Sequence, residues 1–428
     1  MTIPGDKSIS HRVALLSLLA DDTCKATGWL VSEDTLASLA AVEALGSTVV
    51  RNGDRVEIRP PQKRPSGPLT IDCGNSGTTC RLMCGLLAGW LPETASVTLK
   101  GDKSLSSRPM NRVVAPLLEM GALIEYLAEE GRLPLRITGA PLHGRRHVLA
   151  VPSAQVKSAL LLAGLNASGV TTVAGGGDSR DHTELMLSAM GVEGMLGKLS
   201  ADVSVTANPV LRSFEMRVPG DPSTAAFLQV AAALIDGSDL TTSQVSLNPT
   251  RAGALQVFRN AGVNLSVMPE HDKAAGEPIG EVRTRPEPLM AFKVGALEMP
   301  SLIDEIPILA VLATAAVGET VITGAAELRV KESDRLALMT KNLKMLGAQV
   351  VERPDGMRVV GPVRLKGGAA KNPIVFETGG DHRVAMAMSI AALISEGECT
   401  LDDFECVAVS FPEFFTTIDK LIATISAD

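Results

Sequence analysis

Six times along this chain an Ala/Leu-rich helical stretch gives way to a turn and then to a short strand. The stretches begin at Arg12 (RVALLSLLADDTCKATGWL), Arg81 (RLMCGLLAGWLPETASVTLKG), Lys157 (KSALLLAGLNASGVTTVAGG), Ala225 (AAFLQVAAALIDGSDLTTSQV), Ile308 (ILAVLATAAVGETVITGA) and Ala385 (AMAMSIAALISEGECTLDDF). Their spacing of about 70 to 80 residues is longer than that of short solenoid repeats and fits a small α/β unit used repeatedly. Between copies runs a second amphipathic helix closing on glycine: AAVEALGSTVV (Gly46), APLLEMGALIEY (Gly121), LMLSAMGVEGM (Gly191), ALQVFRNAGVNLSV (Gly262) and NLKMLGAQVVE (Gly347). Glycine there reads as a left-handed C-terminal cap that releases the chain into a strand. Each unit therefore reads as β-α-β-α-β-β, with helices whose small residues allow close backbone approach.

A chain of 428 residues is long for one core and comfortable for two domains of about 200 residues. The Pro/Gly-rich segment FEMRVPGDPSTAAF, around Pro219–Pro222, falls before the fourth unit. It divides the chain three units and three, at 4–218 and 219–428. Two similar domains facing each other make a cleft, where a small-molecule site is expected.

The net charge of −8 repels nucleic acid and anionic lipid, and 3% aromatic residues leave few base-stacking faces. Neither a nucleic-acid nor a membrane partner is expected. No run reaches the roughly 18 to 20 apolar residues of a membrane span. MTIPGDKSISHR lacks the layout of a secretory signal. Cys24, Cys73, Cys80, Cys84, Cys399 and Cys406 form no CxxC pair, which suits free thiols in a reducing cytoplasm. An anion, if bound, must meet a local cluster of Lys and Arg within an acidic whole.

Such clusters stand before helical stretches. GDKSISHR (Gly5–Arg12) and GDKSLSSRP (Gly101–Pro109) both read D-K-S-x-S-x-R, combining cations with free N–H groups at a helix start. A plain capping box competes with that reading, and neither stretch is a Walker A loop. CGNSGTTCRL (Cys73–Leu82) places two glycines around Asn and Ser ahead of a helix, allowing close backbone approach to a ligand. In VPSAQVKSALLLAG, Ser153 and Gln155 sit at another helix start, and SRDHTE adds Arg180 at the next. In the second half, IDEIP carries Asp304 and Glu305, ELRVKESDRL carries Arg329, Lys331, Glu332 and Arg335, and GGDHRVAM carries Asp381, His382 and Arg383. KESDR shows i, i+4 helical spacing, and by pattern alone reads as a solvated helix face. Asp304 opens an apolar helix, where a carboxylate among cations can serve as base or acid.

Together these stretches resemble the 5-enolpyruvylshikimate-3-phosphate synthase family, from PGDKSISHR to SFPEFF and in the family's order. The resemblance implies two domains of three β-α-β-α-β-β units each, an inside-out α/β barrel, with Met1–Ile3 free to join the second domain. It implies that shikimate 3-phosphate attacks phosphoenolpyruvate through its 5-hydroxyl, with no metal or organic cofactor, in a monomer. By the same resemblance Lys7, Ser8, Arg12, Ser153, Ala154, Gln155, Arg180, Asp304 and Lys331 hold shikimate 3-phosphate. Lys7, Gly77, Arg108, Gln155, Arg335 and Arg383 hold phosphoenolpyruvate. Asp304 takes the hydroxyl proton, Glu332 serves the C3 proton, and Lys7 joins them as a catalytic group.

Val409 stands where many relatives have Lys, Ala154 where many have Ser, and Glu327 where many have Asn. The wording around SAQVKS and LRVKESDR resembles the subset tolerant of phosphonate inhibitors, although Gly77 is kept. The family also usually carries an extra strand before PGDKS, so a shortened start is an expectation of the comparison. Two rivals remain: an enolpyruvyl transferase acting on UDP-N-acetylglucosamine, and a non-catalytic anion-binding repeat protein. The loop cysteine typical of the first is not seen, and the second has no use for Asp304 and Glu332.

Overall fold

A computed structural model describes residues 1–176, 179–193, 202–274 and 276–425. The described residues fall into two compact units. One comprises Gly5–Pro219 with Lys273–Glu277, and the other Met1–Pro4, Gly220–Asp272 and Pro278–Asp428. Each has its own hydrophobic core.

One helix of every repeat is buried nearly all round. In the first unit these are α1 (Lys7–Ser17), the helix Gly77–Trp90 and the helix Ala154–Gly164. In the second they are Pro222–Leu234, Ile306–Ala315 and His382–Leu393. A helix with no polar stripe must be enclosed, and small residues permit it. A Cβ on Gly85 would collide with the Ala159 carbonyl of the neighbouring helix, so only glycine allows that crossing.

The second helix of each repeat covers a sheet. Gly46, Gly121, Gly191, Gly262 and Gly347 all have positive φ, between 80° and 98°, as expected of C-terminal caps. The end of the third such segment, at Gly194 and Met195, lies outside the described residues.

The sheets repeat one plan, a parallel pair extended by an antiparallel hairpin. Pro68–Asp72 runs parallel to Ser96–Lys100, which pairs antiparallel with Leu135–Thr138, and that strand with Leu123–Tyr126. Lys293–Val294, Gly318–Ile322, Gly356–Gly361 and Gln349–Arg353 repeat it in the second unit. In the first sheet the parallel partner of Cys24–Thr27 is Glu215–Arg217, from the far end of the same unit. At the N-terminus, Thr2 bridges Ser243, and the Ser243 amide donates to the Met1 carbonyl at 2.9 Å.

Among the described residues the sixth repeat holds the parallel pair Ile374–Phe376 and Cys399–Leu401, with an antiparallel bridge between Gly368 and Glu398 beside it, before the helix Phe414–Ile425. One expectation needs correction. The sheets are separate and open among the described residues, so the β layer closes into no barrel. Among the same residues no helix is long and apolar enough to cross a membrane.

Candidate active site

In the first unit the predicted residues collect at the N-terminal ends of the three buried helices. Asp6 caps α1 by accepting from the Ile9 amide at 2.9 Å, leaving Lys7 and Ser8 in the first turn. The Lys7 ammonium donates to Asp34 Oδ2 at 2.9 Å, on α2 (Glu33–Ala44). Arg12 lies one turn further in and is 3% exposed. It donates to the Ser8 carbonyl at 2.8 Å, Thr183 Oγ1 at 2.7 Å and Ser158 Oγ at 2.9 Å. Burial lowers its pKa to about 10, aided by Arg180, so it stays charged at neutral pH. Arg12 thus ties α1 to the helix Ala154–Gly164 and to the helix His182–Ala189.

Ser76 caps α3 (Gly77–Trp90), accepting from the Thr79 amide at 3.2 Å. Gly77 is therefore the first helical residue, with its backbone N–H among those a helix leaves without an internal partner. Ser153 likewise caps the helix that begins at Ala154. Gln155 accepts from Arg81 at 3.0 Å and donates to Thr78 Oγ1 at 3.0 Å, joining the two helix starts. Arg180 stands just before the helix His182–Ala189.

The second D-K-S-x-S-x-R copy does not repeat the first. Its helix spans only Lys103–Ser106, and Lys103 is exposed. Instead it braces the GNSG turn: Asn75 donates to Asp102 Oδ2 at 2.7 Å, and Arg108 donates to Asn75 Oδ1 at 2.7 Å. Arg108 reaches the Gly77 region through its own side chain, not through a helix terminus.

In the second unit Asp304, Lys331, Glu332, Arg335 and Arg383 come together. Asp304 lies in a one-turn 3₁₀ segment, Ile303–Glu305, leading into Ile306–Ala315. The helical, solvated reading of KESDR is overturned. Ala326–Val330 is a 3₁₀ turn, the helix starts only at Arg335 under an Asp334 cap, and Arg335 is 1% exposed. The chain leaves helical geometry there so that Lys331, Glu332 and Arg335 can converge on Asp304.

Arg335 donates to Asp304 Oδ1 at 3.2 Å, to Glu332 Oε2 at 2.6 Å and to Asp381 Oδ2 at 2.8 Å. Burial opposes its charge, but Asp381, Glu332 and Asp304 outweigh that and raise its pKa further. Lys331 Nζ lies 3.9 Å from Asp304 Oδ1, and Arg383 NH2 lies 3.7 Å from Oδ2. Arg383 also donates to the Asp304 backbone carbonyl at 3.2 Å. Guanidinium groups thus face both oxygens of the carboxylate and hold it in place. Next to it Glu305 is buried, and burial pushes its carboxyl pKa up, against the pull of Arg251.

Sequence reasoning passed over Asp34, Ser38 and Thr183 as partners, because each is a common cap or surface residue by pattern. Lys157, inside SAQVKS, is also buried and pairs with Glu184 at 2.5 Å. Val409 sits in a 3₁₀ turn, Glu405–Val409. All six cysteines are free, and no group of His, Cys, Asp and Glu able to hold a metal occurs among the described residues.

One unit thus gathers Lys and Arg at the starts of buried helices, and the other holds a buried carboxylate–guanidinium cluster, a pattern of charge found in enzymes acting on anionic small molecules. Comparison with known proteins narrows that class. The family model for EPSP synthase (3-phosphoshikimate 1-carboxyvinyltransferase) matches residues 1–418. A 3-phosphoshikimate 1-carboxyvinyltransferase from Anaeromyxobacter sp. is 46% identical over 421 residues, covering 98% of this chain and 95% of that protein. One from Roseiflexus castenholzii is 44% identical over 426 residues, covering 98% and 96%. An EPSP synthase structure from Acinetobacter baumannii superposes with a TM-score of 0.86 at 37% identity, covering 98% of this chain and 95% of that one. The chain belongs to the EPSP synthase family and has its two-domain α/β fold.

Proposed function

We propose that this chain transfers the enolpyruvyl group of phosphoenolpyruvate to the 5-hydroxyl of shikimate 3-phosphate, releasing phosphate. The observation that carries the reading is the pair of carboxylates, Asp304 and Glu332, held on one buried guanidinium. An anion-binding scaffold alone would gain nothing from them.

In the first step the O5–C2 bond forms, Asp304 accepts the hydroxyl proton and Glu332 delivers a proton to C3. In the second, a C3 proton returns to Glu332, the double bond reforms and the C2–O bond to phosphate breaks. Arg335, Lys331 and Arg383 keep Asp304 oriented, and Arg383 and Arg108 offer charge to phosphoenolpyruvate. Lys7, Ser8, Arg12, Ser153, Ala154, Gln155 and Arg180 supply the shikimate 3-phosphate side. Fixed cations aimed at developing charge stabilise the transition state without reorganising. The reaction so described draws on both units, divided near residue 219. The same proposal takes the protein as a cytoplasmic monomer, and Ala154 and Glu327 as marks of the inhibitor-tolerant subset.

The test is phosphate release from phosphoenolpyruvate with shikimate 3-phosphate or UDP-N-acetylglucosamine as acceptor. Release with the first alone supports the reading. Release only with the second, or none with either, overturns it. Arg383→Ala should mainly raise KM for phosphoenolpyruvate.

A further inference from the structure

One hydrogen-bonded chain in the first unit uses none of the residues just assigned. On α1, His11 lies one turn beyond Lys7 and is fully buried. Its Nδ1 meets Ser38 Oγ at 2.8 Å. Ser38 Oγ meets Thr79 Oγ1 at 2.7 Å, and Thr79 Oγ1 meets Ser76 Oγ at 2.7 Å. The chain thus crosses from α1 through α2 to the cap of α3, the residue immediately before Gly77.

The register is what makes this more than packing. Lys7 and His11 are i, i+4 on α1, and Asp34 and Ser38 are i, i+4 on α2, so each pair lies on one helix face. Lys7–Asp34 and His11–Ser38 are two rungs between the same two helices. The upper rung continues into α3. Burial lowers the imidazole pKa to about 3, so the ring in this chain is neutral at neutral pH. Its Nε2 has no hydrogen-bond partner, so the ring is fixed through Nδ1. Ser38 and Thr79 are both fully buried, so bulk solvent cannot make good a lost bond.

We propose that His11 and Ser38 are positioning residues for phosphoenolpyruvate, fixing the Ser76 cap and with it the Gly77 amide, through Thr79. They touch no reacting atom and act through the turn. The proposal rests on the functional reading above and deepens it.

Steady-state kinetics on Ser38→Ala, Ser38→Thr and His11→Asn, with KM and kcat measured separately for each substrate, test it. Removing the hydroxyl leaves the buried His11 Nδ1 without its partner and Thr79 with Ser76 alone, so Ser38→Ala should raise KM for phosphoenolpyruvate about tenfold. It should leave kcat and KM for shikimate 3-phosphate within about threefold. Ser38→Thr, which keeps the hydroxyl, should restore much of the loss, and His11→Asn should fall between. Equal rises in both KM values, or a lowered Tm with both KM values unchanged, would contradict a positioning role. Should Ser38→Ala fail to fold, His11→Asn gives the same split. Wild-type turnover tests the functional reading, and the split between substrates tests the positioning role, so the two can fail separately.

Discussion

Arg335 faces Asp304 across 3.2 Å while its remaining nitrogens hold Glu332 at 2.6 Å and Asp381 at 2.8 Å. One guanidinium therefore fixes both proposed proton carriers and ties them to the cap of the helix His382–Leu393. A planar fork with donors in three directions can do this, and a lysine ammonium cannot do it with the same geometry.

Replacing Arg335 should consequently cost both stability and turnover. Arg335→Ala leaves three carboxylates without their shared cation, and breaking buried pairs of this kind costs about 3 to 5 kcal/mol. Arg335→Lys should recover part of the stability but leave kcat at least about tenfold low, since one ammonium cannot orient both Asp304 and Glu332. Denaturant unfolding and kinetics on the two variants check this. A lysine variant with wild-type kcat would show that orientation by the fork is unimportant.

A side chain at Gly77 would crowd the tip of Arg81. A Cβ there would sit 2.6 Å from Arg81 NH1 and 3.4 Å from Arg108 NH1. Gly77→Ala should displace the Arg81 guanidinium, fill space beside Arg108 and raise KM for phosphoenolpyruvate by about tenfold, with a smaller effect on kcat. A phosphonate analogue of phosphoenolpyruvate should lose affinity in parallel. Inhibition assays on wild type and variant read both effects.

His11 gives the fold an acid-side weakness. Its folded pKa, about 3, lies below the ordinary value of 6.5, chiefly through burial. Asp34 and Asp6 pull it upward, and Lys7 and Arg12 add to the lowering. Between those pH values the unfolded chain binds a proton that the folded chain refuses. Stability from this group is therefore present above about pH 6.5 and lost as the pH falls, by a few kcal/mol in all. Urea midpoints measured from pH 8 to pH 4 should fall less steeply for His11→Asn than for wild type. Parallel profiles would contradict the assignment.

Some of this was legible beforehand and some was not, for physical reasons. The five capping glycines announced their helices because positive φ favours glycine so strongly. GDKSISHR, GNSGTT and SAQVKS were legible because caps and first turns are local in sequence. The two D-K-S-x-S-x-R copies looked alike, yet Lys7 begins an eleven-residue helix and Lys103 one of four residues. The length of helix behind the motif, not its wording, sets its role. KESDR kept helical spacing while the backbone left the helix, because convergence of Lys331, Glu332 and Arg335 on Asp304 is a tertiary requirement. The His11–Ser38–Thr79 chain joins three helices, and no local pattern marks it.

Asp304 and Glu332 remain the centre of the account, and their division of labour separates their variants. Asp304→Ala and Glu332→Ala should each lower kcat by at least about a hundredfold without unfolding the protein, as loss of a general acid or base does. Circular dichroism and kinetics on both variants check this.

The most direct test follows the C3 proton in deuterated water, with both substrates present and the wild-type enzyme set against Glu332→Gln. Wild type should place deuterium at C3 of the enolpyruvyl group as phosphate is released, and Glu332→Gln should slow that exchange by at least about a hundredfold while still binding both substrates. Exchange and turnover at the wild-type rate in Glu332→Gln would remove Glu332 from the mechanism, and with it the claim that Arg335 holds the two proton carriers of the reaction.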